Sequence, residues 1–174
     1  MQCSRILVVT GASGAGKTTL VRTLEARSVP GVSFHYFDSI GVPSVEQMVA
    51  DYGGGAQWQL AMTNQWIERL ADNGDGLSVL DAQVRPSACR EAFTRMHVDG
   101  HIVLIDCRPD VRENRLRELR GQPELVTRDM ACWGSYLRGQ ADALGLPVID
   151  TTLLSVEAAA DILHAQVSAH SASL

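Results

Sequence analysis

One octet in this sequence carries an unusual share of its chemistry. Gly11-Ala12-Ser13-Gly14-Ala15-Gly16-Lys17-Thr18 has the spacing G-x-x-x-x-G-K-[ST], with an apolar strand-like run before it and a helical pattern after it. Glycines at these positions let a backbone curl until several N–H groups face one point, and a helix starting there adds the positive end of its dipole. A single anion with many oxygens suits such a cradle. Lys17 would reach the β- and γ-phosphates of ATP, and the Thr18 hydroxyl would take a place on Mg²⁺. The residues expected around the phosphates are Gly11, Ser13, Gly14, Ala15, Gly16, Lys17, Thr18 and Thr19. The plain alternative is a glycine-rich turn joining a strand to a helix.

Two exclusions narrow the reaction. Of the 15 Lys and Arg residues, fourteen are arginine and only Lys17 is lysine. An Arg-rich codon usage accounts for the arginines, and the exception falls where a planar guanidinium substitutes poorly for a compact ammonium. A guanine-reading N-K-x-D motif needs a second lysine, which this chain lacks. Motor-type ATPases follow a strand-end Asp with a water-activating Glu; here Asp81 precedes Ala82 and Asp106 precedes Cys107. A nucleotide site without that base fits transfer to a bound acceptor better than hydrolysis.

The elements that must hold these residues follow from apolar runs. Strands are expected at 5–10, 33–37, 77–80, 102–105 and 147–150, four of them running into an acid: Asp38, Asp81, Asp106 and Asp150. Helices are expected from 17 to about 27, from Ser44, after the glycines at 53–55, over 87–98, over 109–121, over 124–144 and over 155–169. Ser44 and Gln47 form a capping-box pattern, Asn73 to Gly76 a turn, and Pro109 a first helical turn. Trp58, Met62, Trp66 and Leu70 recur every four residues, the pattern of a buried stripe more often than of a substrate pocket. Strand–helix alternation without hairpin signals means a parallel sheet covered by helices on both faces, a doubly wound α/β domain over residues 1–170 with a loose tail at 171–174.

Composition sets the remaining bounds. The chain has 174 residues, 45% hydrophobic and 20% charged, which suits one globular domain. No apolar run approaches the ~18 residues of a membrane span, and no signal-peptide pattern opens the chain. Cysteines 3, 89, 107 and 132 form no C-x-x-C pair, so neither a zinc site nor a disulfide framework is expected and a cytoplasmic setting fits. A net charge of −5 argues against a broad nucleic-acid-binding face.

On these residues the whole chain resembles the small P-loop kinases, the superfamily of adenylate, shikimate and gluconate kinases. The resemblance implies a three-layer α/β/α fold with a five-stranded parallel sheet, an acceptor-binding region at 39–76 and an arginine-bearing lid at 108–128. It implies ATP and Mg²⁺ as cofactors and a small-molecule acceptor. Asp38 matches the acid that binds or deprotonates the acceptor hydroxyl, and a carboxylate at a strand's C-terminal end can take that proton; otherwise it caps a turn before Gly41. Asp81-Ala82-Gln83-Val84-Arg85 is similar to the D-G-x-P-R segment of nucleoside-monophosphate kinases, with Ala82 for Gly and Val84 for Pro. Asp81 would then hold Mg²⁺ and Arg85 would meet the acceptor or a phosphate. The lid motif R-L-x-x-R is matched by Arg115-Leu116, but the next arginine, Arg120, comes one residue late. Arg112, Arg115 and Arg120 are therefore all candidates for the transferring phosphate, and Asp150 for the adenine edge. The readings that remain are a kinase of a small hydroxylated or phosphorylated metabolite, a nucleic-acid 5′-hydroxyl kinase, and an ATP-binding regulatory module without transfer.

Overall fold

A computed structural model describes residues 4–74 and 76–171. Its centre is strand β1 (Arg5–Thr10), in which Ile6, Leu7, Val8 and Val9 have no exposed surface at all. A strand so apolar on both faces needs cover on both, and successive side chains supply it by pointing opposite ways. Leu7 and Val9 pack against helices α1 (Lys17–Ala26) and, near the C-terminus, α7 (Val156–Ser171). Ile6 and Val8 pack against α3 (Gly55–Ala71) and α4 (Pro86–Met96) on the other side.

The sheet is wholly parallel, in the order β2-β3-β1-β4-β5, with β2 at Val32–Tyr36, β3 at Leu77–Asp81, β4 at Asp99–Asp106 and β5 at Val148–Asp150. Register aligns the strand ends: Tyr36 lies beside Asp81, Asp81 beside Val9, and Asp106 beside Asp150. The segments that leave β1, β2, β3 and β5 therefore open on one edge. This is the expected three-layer α/β/α architecture. Helix α6 (Arg128–Leu144) shares the face of α3 and α4 through Leu137, Ala141 and Leu104 of β4.

Local chemistry explains most boundaries. Helix α2 (Val45–Tyr52) begins in the expected capping box, with Gln47 N–H donating to Ser44 Oγ and Ser44 N–H to Gln47 Oε1. Trp58, Trp66, Ile67 and Leu70 are buried in the core, the place their spacing suits. Several expectations shift. Strand β2 stops at Tyr36, and Asp38 sits in a 3₁₀ turn at Phe37–Ile40 rather than on the strand. The helix expected over 109–121 splits into α5 (Pro109–Asn114) and a π turn at Arg115–Leu119. The one expected from 124 starts at Arg128, where Thr127 Oγ1 accepts from Met130 N–H. Ser171, the first residue of the tail expected to be loose at 171–174, instead ends α7, and Arg5 donates to the carbonyls of His170 and Ser171 at 3.0 and 2.9 Å. Residues 172–174, Cys3 and Asp75 of the expected turn lie outside the described residues.

Packing around β4 leaves no slack at Gly100, where a Cβ would stand 2.2 Å from the Phe93 ring. Gly100→Ala should cost about 1–3 kcal/mol of stability through overpacking, read as a lower urea midpoint. An unchanged midpoint would show that the α4–β4 contact is looser than described.

Candidate active site

The octet forms the turn between β1 and α1. Gly11, Gly14 and Gly16 have φ of 154°, 83° and 107°, values that side chains resist. At Gly11 space is as restrictive as the dihedral, since a Cβ would lie 2.2 Å from the Ile105 carbonyl oxygen. Beside this cradle opens a cavity of about 510 Å³ lined by Gly14, Gly16, Lys17, Thr18, Thr19 and Arg22, by Arg115 and Arg120, and by Thr151, Leu154 and Val156 beyond β5. Its volume falls in the range of small-ligand pockets, roughly 300–1,000 Å³.

Charges converge on Lys17. Burial of its ammonium lowers its pKa from the ordinary lysine value, Asp81 and Asp38 act in the opposite direction, and Arg120 adds to the lowering. Asp81, only 7% exposed, has its carboxyl pushed up by burial and held back by Lys17 and by the Thr18 hydroxyl, which donates to Oδ2 at 2.5 Å. Asp38 and Arg22 act on Asp81 too. The structure thus brings Asp38, Asp81 and Arg120 within electrostatic reach of Lys17, with Thr18 bonded to Asp81. Thr18 and Asp81 offer adjacent hard oxygens, a donor set that suits Mg²⁺ completed by phosphate oxygens and water. Among the described residues no three His, Cys, Asp or Glu side chains gather as a metal cage.

The arginines divide by position. Arg112 is 4% exposed: its Cγ packs on Gly14, where a Cβ would come within 2.9 Å, and its guanidinium lies on Gly134 of α6. Arg115 turns to the cradle's own backbone, donating to the Ala15 carbonyl at 3.2 Å and to Thr151 Oγ1 and C=O at 2.8 Å each. Arg120 is exposed, lines the cavity and acts on Lys17. The π turn explains its late arrival in the sequence. Arg120 N–H donates to the Arg115 carbonyl, five residues back, so the wider turn absorbs the extra residue that R-L-x-x-R does not contain.

From Ser13 a chain of hydrogen bonds leaves the cradle. Ser13 Oγ donates to Gln83 Oε1, Gln59 Nε2 to the Gln83 carbonyl, and Arg85 Nη1 to Gln59 Oε1, at 3.0, 2.8 and 2.7 Å. The Arg85 guanidinium also stands 5.1 Å from the Trp133 ring centroid, with an open cleft on either side of it. Asp150, whose carboxylate accepts from Thr152 N–H, lines a neighbouring cleft with Arg108, Thr152 and Leu154, and Thr151 lines the cavity beside the cradle. Sequence reasoning passed over Gln59, Trp133 and Arg22, which belong to no motif, and gave no role to Gln83, the variable position of the Asp81–Arg85 segment. Thr151 stood in the noticed Asp150-Thr151-Thr152 run without a role of its own.

The raised carboxyl of Asp81 has a signed consequence. Its folded pKa lies above the ordinary 3.8, so the native state favours the protonated form and loses stability as pH rises through the folded value. Wild type should therefore fall behind Asp81→Asn in Tm as pH is raised from about 3.8 toward 7. A Tm difference independent of pH would contradict the assigned burial.

No family model matches the chain, and no curated protein does. Solved structures do. The tunicamycin resistance protein of Deinococcus radiodurans is 20% identical with a TM-score of 0.65, over 94% of this chain and 95% of that one. A gluconokinase from Sinorhizobium meliloti 1021 is 15% identical with a TM-score of 0.64, over 98% and 95%. Shikimate kinase from Acinetobacter baumannii, solved with shikimate, is 18% identical with a TM-score of 0.60, over 97% and 95%. Nearly the whole length aligns in each case, and with the parallel sheet and the cradle already described, the chain has the fold of the small P-loop kinases.

Proposed function

We propose that this protein is an ATP- and Mg²⁺-dependent phosphotransferase acting on a small hydroxylated or phosphorylated metabolite. The observation that carries the reading is that both Asp38 and Asp81 lie within electrostatic reach of Lys17 while only Asp81 pairs with Thr18, which leaves Asp38 for an acceptor. The kinases of gluconate and shikimate among the structural neighbours support the same class of reaction.

Phosphoryl transfer asks a protein chiefly for position and for fixed positive charge. Backbone N–H groups of the cradle and Lys17 would hold the β- and γ-phosphates. Thr18 and Asp81 would hold Mg²⁺, which supplies neutralising charge on the phosphate oxygens when bound. Asp38, exposed in its 3₁₀ turn, would orient the acceptor hydroxyl and accept its proton as the new P–O bond forms. Arg120 would face the transferring group from the cavity wall. Arg85 would bind the acceptor: its recorded partners are an amide oxygen and an indole ring, both neutral, which leaves its charge for an acceptor's anionic group.

Among the described residues no helix is long and apolar enough to cross a membrane. A panel of sugars, nucleosides, nucleotides and aminoglycoside- or phenicol-type antibiotics, read by acceptor-dependent ADP release, tests the activity. Lys17→Ala should abolish transfer while keeping the wild-type circular dichroism spectrum. Asp38→Asn should lower kcat on the best acceptor at least a hundredfold, the lower range for a general base. Full activity in Asp38→Asn would remove that residue from the proton transfer, and tight ATP binding without turnover on any acceptor would favour a regulatory module.

A further inference from the structure

Arg115 spends its guanidinium on backbone. Nη1 donates to the Ala15 carbonyl at 3.2 Å, touches the Gly14 carbonyl at 3.5 Å and donates to Thr151 Oγ1 at 2.8 Å; Nη2 donates to the Thr151 carbonyl at 2.8 Å. Thr151 is 3% exposed, and its hydroxyl lies 2.8 Å from the Ala15 carbonyl and 3.2 Å from that of Asp106. The hydroxyl has one proton, and the shorter of the two contacts assigns it to the Ala15 carbonyl, while Asp106 accepts Thr151 N–H at 2.9 Å. The Ala15 carbonyl is thereby held by two donors from two separate segments, the π turn and the end of β5.

A trans peptide is planar, with C=O and the following N–H pointing in opposite directions. Holding the Ala15 carbonyl on Arg115 and Thr151 therefore also sets the direction of Gly16 N–H. The neighbouring Ala15 N–H is spent on the Ala12 carbonyl at 3.1 Å, which makes the aim of Gly16 matter more. Glycine at 16 has no side chain to hold its own conformation at φ 107°, so the restraint must come from outside.

We propose that Arg115 and Thr151 form a positioning pair that holds the Ala15–Gly16 peptide so that Gly16 N–H stays aimed at a bound phosphate, and that Arg115 does not itself act on the transferring group. The proposal rests on the nucleotide-site reading above and reassigns one of its arginines. Preorganised donors matter because they need no reorientation when the anion arrives.

Calorimetric titration with ADP tests it independently of any acceptor. Thr151→Val and Arg115→Met should each weaken ADP binding on the order of tenfold, with Thr151→Ser, which restores the hydroxyl, close to wild type and adenosine binding unaltered. In the wild-type chain the Gly16 amide proton should move downfield when ADP is added, and it should move less in Thr151→Val. Loss of ADP affinity in Arg115→Met with none in Thr151→Val would overturn the pair and put Arg115 directly on the phosphates. A Gly16 amide that does not respond in the wild type would overturn it whether or not the variants fold. A chain that binds ADP as described but phosphorylates nothing would refute the transferase reading and leave the pair standing.

Discussion

A buried hydroxyl at the end of the central strand joins the two halves of the site. Thr10, with no exposed surface, donates from Oγ1 to the Val84 carbonyl at 2.8 Å and accepts from Val84 N–H at 3.2 Å. Ala82 N–H adds a bond to the Val9 carbonyl. Buried polar groups must find partners, and here the partners are chosen so that the segment after β3 cannot move relative to the turn after β1. Asp81, Gln83 and Arg85 alternate along that fixed segment. The cradle and the segment that carries Arg85 thus share one rigid origin, and the Ser13–Gln83–Gln59–Arg85 chain extends it outward into α3.

Charge is distributed over this frame by degree of freedom. Arg112 and Arg115 are immobilised, one in packing and one on carbonyls, and both hold the backbone of the cradle. Arg85 is steadied between an amide and a ring. Arg120 and Arg22 stand at the open side of the cavity, where long side chains can follow a ligand. Arg22 also stands over the Tyr36 ring, 5.7 Å from its centroid, so the five differ in how firmly each is held. Among the described residues the exposed ion pairs lie away from this frame, as Arg27 with Glu157 and Asp161 does, and contribute little on their own account.

How much of this the sequence displayed depended on range. The octet was legible because its glycines, lysine and threonine act on one another within eight residues. The tryptophan stripe was legible because helical periodicity is local, and the capping box at Ser44 for the same reason. Asp81 could be named from its place at a strand end. The work of Arg115 could not, because it needs Thr151, 36 residues on, and a turn of unusual width that only backbone geometry reveals. Trp133 and Gln59 meet Arg85 from two different helices, a meeting fixed by the packing of α3, α4 and α6 and by no motif. The strand order β2-β3-β1-β4-β5 is likewise a result of long-range pairing.

The solitary lysine also makes the protein unusually simple to interrogate by amine chemistry. Apart from the chain's α-amino group, Lys17 carries the one amine in the sequence. Desolvation lowers its pKa, so at a given pH more of it is the free, nucleophilic base than in an ordinary exposed lysine. An acylating reagent small enough to enter the cavity meets a single side-chain target, and that target lies where a phosphate would shield it. The extent of modification at one residue then measures how much of the site is filled.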